Sequence, residues 1–253
     1  MGEAINVVWR LAVVTELILA VRLLWQGLGG VYPALLVGTC LFAVRSSLLI
    51  LSVSDLRSAM GQTWKMTEPL VWIAWAWIVL ELFSKWTSSY QGIGRFGKYL
   101  FGATISIALL VSVFLSRLEW EKLFFKHDFQ IYYVLTRILM ATLAIFIVLI
   151  WLFFRHFPES VAPNMVLHTR ITAVYFVVNA LSYLTLTLGG QKLVGQANLA
   201  IVLAAFLCFS GWAVFLTRKG EIRGILPQMG KEEAARIARV NQELLGLMKN
   251  FPG

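Results

Sequence analysis

Seven mostly apolar stretches, each about twenty residues long, follow one another along the chain and constrain its fold more than any other feature. They run near 7–28, 33–53, 69–86, 98–116, 131–154, 166–188 and 195–217. At about 1.5 Å of rise per residue, some twenty residues cross the roughly 30 Å hydrocarbon core of a bilayer. Lipid offers no hydrogen-bonding partner, so each crossing segment has to satisfy its backbone within a helix. The runs are continuous, unlike the short alternating segments of a transmembrane barrel. The expected fold is therefore all-α: a polytopic integral membrane protein with a seven transmembrane helix bundle over residues 1–220, followed by a tail, 221–253, that carries a C-terminal amphipathic helix.

Composition agrees. Apolar residues make up 59% of the 253 and charged residues only 14%, outside the range of soluble domains. The net charge of +9 could suggest nucleic acid, but the basic residues sit in short loops and the tail, with no recognition element beside them. Membrane topology and anionic lipid headgroups account for it better. The first run contains charges and lacks a small-residue cleavage site after Trp25, so it reads as a retained signal anchor. Cys40 and Cys208 fall inside runs without a CxxC pair or clustered histidines, and are expected to be buried free thiols; no metal or other cofactor is implied.

Breakers mark the connections: Gly27, Gly29, Gly30 and Pro33; Gly92, Gly94 and Gly97; Pro158 and Pro163; Gly189 and Gly190. Thr67, Glu68 and Pro69 read as the start of the third helix, since threonine caps free amides and proline fits a first turn. Trp9, Trp25, Tyr32, Trp64, Trp86, Tyr99, Trp120, Tyr132, Tyr133, Trp151 and Trp212 lie near run ends, where aromatic rings anchor at the headgroup layer. Trp72 and Trp75 are one turn apart, and packing is the expected role.

The tail carries Arg218, Lys219, Arg223, Lys231, Arg236, Arg239 and Lys249. The positive-inside rule places it in the cytoplasm, with the N-terminus outside the cell (inner) membrane. The loop holding Lys85, Arg95 and Lys98 agrees; the one holding Arg117, Lys122 and Lys126 does not.

Several charges lie inside apolar runs, where they are costly unless paired or hydrated. Depth counting puts Glu16 level with Arg45, and Arg22 level with Glu81, so two intramembrane ion pairs are expected among the first three helices. Such pairs either fix helix register or line a pathway. Arg137 and Arg170 have no acidic partner within their own runs and can snorkel to a lipid headgroup or hold an anion. Asn179, Ser182 and Tyr183 give the sixth run a polar face, and Thr104, Ser106 and Ser112 do so for the fourth.

Known chemistries find no equipment. The last run lacks the lysine of a retinal protein, and Lys192 precedes it. His127, His156 and His168 fall in loops or at run ends, away from the depth a haem or a buried serine nucleophile such as Ser210 would need. HExxH, Walker and dinucleotide patterns are absent. An enzyme acting on lipid would have to use loop residues such as His156, Glu159 and His168.

From about 231 to 250 the tail has helical periodicity, with Ile237, Val240, Leu244, Leu247 and Phe251 on one apolar face. It could lie on anionic lipid, form a short dimer seam or dock a protein partner. The favoured expectation is a non-enzymatic multi-pass protein, sensor-like or a subunit of a larger membrane assembly. The alternative is a transporter or channel for a small anionic solute, drawing on Arg45, Arg137 or Arg170 with Glu16 or Glu81 as gate or proton carrier.

Overall fold

The computed structural model describes residues 2–52, 57–88, 95–97, 99, 101–103, 106, 110, 127–156, 162–189, 193–221 and 231–248. Among them the chain forms α1 (Gly2–Trp25), α2 (Pro33–Ser52), α3 (Arg57–Trp86), α4 (His127–His156), α5 (Pro163–Gly189), α6 (Val194–Phe215), a single 3-10 turn (Arg218–Glu221) and α7 (Lys231–Met248), with no strand. Among the described residues, five segments are long and apolar enough to cross a membrane: Pro33–Leu51, Gln62–Trp86, Val134–Leu152, Pro163–Leu186 and Val194–Phe215. The protein is a multi-pass, all-helical membrane protein. α1 has the length to span but carries Glu3, Arg10, Glu16 and Arg22. The run expected at 98–116 lies largely outside the described residues.

Apolar side chains cover the outward faces of the helices as well as the interior, as a lipid solvent requires. On α5 the outward residues are Val174, Val177, Leu181 and Leu184, while His168, Thr169, Thr172, Asn179 and Ser182 are buried. On α1, Val14, Leu17, Ile18, Val21 and Leu24 face out and Glu16 faces in.

The first six helices pack in sequence order, and α6 closes against α1, forming a ring. A tight connection joins α1 to α2: Gly27 takes φ 70, a left-handed conformation suited to glycine, and the Gly29 amide donates to the Leu23 carbonyl at 3.0 Å. α2 and α3 run antiparallel at close range, because Gly38 offers no Cβ where Ile78 approaches. α3 and α4 run parallel: Trp64 meets Tyr132, Trp72 meets Thr136 and Phe83 meets Phe146. The centre is filled by Trp75, stacked on Tyr175 (centroids 4.4 Å apart) and Phe42 (4.6 Å), with Phe176 and Trp212 around it. Trp75 is therefore a packing residue, as its spacing suggested.

Several expectations are corrected. α3 begins at Arg57, and Pro69 lies inside it. Two residues before it, the Thr67 hydroxyl donates back to the carbonyls of Thr63 (2.8 Å) and Trp64 (3.3 Å). Tyr32, Trp86 and Trp212 are buried in the ring, whereas Trp25 and Tyr99 are exposed. Cys208 is a buried free thiol, but Cys40 is exposed on the outer face of α2.

Candidate functional site

Two polar constellations interrupt the apolar interior. The first lies between α1, α2, α3 and α4. Arg45 forms an ion pair with Glu68 through Nη2 and Oε2. The other carboxylate oxygen of Glu68 accepts from the Thr136 hydroxyl at 3.1 Å and the Trp72 indole at 3.2 Å, and Trp72 also donates to Thr136 Oγ1 at 3.1 Å. Glu68, only 1% exposed, is thus fully satisfied, as a buried carboxylate in low dielectric must be. Glu16, 4% exposed, interacts with Arg45 and the Ser46 hydroxyl, yet its Oε2 has no hydrogen-bond partner, and neither does Arg45 Nε.

Sequence reasoning gave Arg45 to Glu16; the structure gives its ion pair to Glu68. With Pro69 in a first turn, Glu68 lies outside the membrane and is hidden as a partner for Arg45.

The expected Arg22–Glu81 pair is also replaced, and in each case by a helix end. Arg22 Nη2 donates to the carbonyls of Val214 (3.1 Å) and Leu216 (3.3 Å) at the C-terminus of α6, where free carbonyls gather negative potential. Glu81 Oε2 accepts the Ala34 amide at 2.6 Å in the first turn of α2, where amides are free and the potential is positive. Arg137 is half-buried and Arg170 exposed, and among the described residues neither is in an ion pair.

The second constellation ties the exit of α6 to the ring. The 3-10 turn after α6 ends at Glu221, whose Oε1 accepts from Tyr32 Oη at 2.8 Å and from Asn164 Nδ2 at 2.5 Å. Asn164 Nδ2 also donates to the Thr217 carbonyl, and the Thr217 amide donates back to Asn164 Oδ1 at 3.3 Å. Gly220 lies so close to the Asn164 amide that a Cβ there would collide with it. Tyr32 is held on its other sides by Lys85, whose Nζ sits 4.9 Å from the ring centroid, and by the edge of His168 at 5.4 Å. Burial, and secondarily the Glu221 carboxylate, raise the Tyr32 phenol above its usual range, so it stays a donor.

His168 corrects another expectation. It is fully buried in α5, edge-on to Tyr32 and Trp212, with Nδ1 3.2 Å from Thr172 Oγ1. Its position near the start of a run resembled that of an interfacial histidine, but the knot around Asn164 draws this end of α5 into the ring. Among the described residues no three histidine, cysteine or acidic side chains come together as a metal site.

No family model, no curated protein and no solved structure matches this chain. Of the tail face, Val240 is exposed on α7; Ile237, Leu244 and Leu247 lie on the same helix, and Phe251 falls outside the described residues.

Proposed function

We propose that the protein is a non-enzymatic, multi-pass membrane protein whose helical bundle passes its state to an amphipathic C-terminal helix, as a sensor or as a subunit of a larger membrane assembly. The observation that carries this reading is Glu221. This carboxylate, at the first position of the tail, is fastened to Tyr32, at the α1–α2 turn, and to Asn164, at the start of α5. Any shift between those elements has to move the root of the tail.

A count of seven passes is supported by the direction of the helices. α3 and α4 are parallel neighbours, so the chain leaves α3 at one end of the bundle and re-enters α4 at the other. The apolar run at 98–116, long enough to cross, would supply the return that this direction calls for. The basic tail supports a cytoplasmic C-terminus at the cell (inner) membrane with the N-terminus outside. Ile237, Val240, Leu244, Leu247 and Phe251 would then form the face that meets anionic lipid or a protein partner, with Arg236, Arg239 and Lys249 beside it.

Transport of a small anion is the weaker reading, because Arg45 is already neutralised by Glu68. It leaves Arg137 and Arg170 as anion or headgroup contacts.

Deleting the residues after Pro227 tests the proposal. The shortened protein should retain the bundle's melting temperature while losing association with other proteins, read as a native-gel mass that falls by more than the tail itself. Unchanged association would overturn it.

A further inference from the structure

The cluster of Glu16, Arg45 and Glu68 does not balance. Two carboxylates and one guanidinium share the lipid-sheathed interior, and Arg45 is committed to Glu68. Among the described residues, Arg45 is the cation that acts on both carboxylates. α2 contributes Arg45 and the Ser46 hydroxyl. α3 contributes Glu68 and the half-buried Lys65, α4 the Thr136 hydroxyl and the half-buried Arg137, and α5 the phenol of Tyr175, which interacts with Arg45, Glu16 and Glu68. α6 has no charged residue between Val194 and Phe215, and Cys208 is its one titratable side chain. On α1 itself Arg22 is held by the α6 carbonyls and Arg10 is exposed. Ionised together, the two carboxylates would leave one uncompensated negative charge at depth, a state that is strongly disfavoured in a membrane interior.

The missing positive charge is a metal cation or a proton. A sodium-like ion takes several oxygen ligands, as hard cations do. Here both oxygens of Glu68 are occupied, the Thr39 hydroxyl is spent on the Leu35 carbonyl, and the guanidinium of Arg45 repels a second cation. What is left is one carboxylate oxygen, buried and without a partner, beside Arg45: Glu16 Oε2. That is the demand of a single proton. We propose that Glu16 is a proton-binding site, at which one proton drawn from water forms an O–H bond on the carboxylate and neutralises the Glu16–Arg45–Glu68 cluster. No redox change is involved. Because Arg45 reaches toward both carboxylates, the proton and the guanidinium divide them: whichever carboxylate holds Arg45, the other holds the proton.

The site is independent of the tail, so failure of one reading leaves the other standing. The test is infrared spectroscopy of the full chain in lipid nanodiscs at neutral pH, reading the carbonyl stretch of a protonated carboxyl group and its shift in heavy water. Wild type should show such a band, and Glu16→Gln should lose it while melting as wild type does, since glutamine mimics the protonated acid; Glu16→Met provides a second neutral variant. Glu68→Gln should also lose the band, because Arg45 then passes to Glu16 and holds it ionised. A band unchanged in Glu16→Gln, or absent from wild type, would overturn the proposal. So would a wild-type melting temperature that rises with sodium but not choline chloride and does so only while Glu16 is present, the mark of a metal cation.

Discussion

Tyr32 Oη donates to Glu221 Oε1 at 2.8 Å across 189 positions of sequence, joining the first inter-helix turn to the root of the tail. A buried hydrogen bond to a charged acceptor contributes on the order of 1.5–3 kcal/mol, and loses some of that where water can reach. Tyr32→Phe keeps the ring against His168 and removes the donor. It should lower stability in nanodiscs by about 1–2 kcal/mol, measured by thermal or denaturant unfolding, and should increase hydrogen exchange at 217–221.

The same phenol gives a pH signature. Its folded-state value is raised, so the folded form keeps a proton that the unfolded chain gives up above about pH 10. The stabilisation is then fully present below that pH and shrinks above it, by at most about 1.4 kcal/mol per pH unit. The gap in stability between wild type and Tyr32→Phe should be flat from neutral pH to about 10 and narrow beyond it. A gap that widens on the alkaline side would show that Tyr32 ionises more readily in the fold than out of it.

Gly220→Ala should break the same knot by volume alone. The added methyl meets the Asn164 amide, which is pinned between Thr217 and Glu221 and has nowhere to turn. Overpacking of this kind costs about 1–3 kcal/mol. Asn164→Ala combined with Gly220→Ala should be less damaging than the sum of the two single changes, as a double-mutant cycle would read.

In the membrane interior, Arg45→Leu strands Glu68 with two neutral donors, and removal of one partner from a buried pair costs roughly 3–5 kcal/mol. Replacing both, as Arg45→Leu with Glu68→Leu, should recover much of that loss. Additive single effects would mean that the two do not act as a pair.

The helices themselves were legible because apolar run length reports directly on a bilayer crossing. The run at 33–53 became Pro33–Ser52, and that at 195–217 became Val194–Phe215. The partners of the charges were not. Counting residues fixes depth along a helix axis, but which neighbour a side chain meets depends on rotation about that axis and on ring order. Glu16 and Arg45 do interact, yet Glu68 is the residue that pairs, and it was hidden by a proline rule derived from helices in water. Arg22 and Glu81 found helix termini instead of each other. A terminus is a partial charge carried by backbone, and it leaves no letter in the sequence beyond a marker such as Pro33. The Tyr32–Asn164–Glu221 knot joins three residues of unremarkable type and is visible only once the ring has closed.

The most direct measurement of coupling between bundle and tail is native mass spectrometry of the full chain extracted gently from its membrane, comparing wild type with Glu221→Ala. Glu221→Ala removes the acceptor of both Tyr32 and Asn164 while leaving α7 intact. The account predicts a stoichiometric protein partner on wild type and a clear loss of its occupancy in the variant at temperatures where the bundle remains folded. Equal partner occupancy in the two proteins, or a wild-type protein that carries no partner at all, would contradict it.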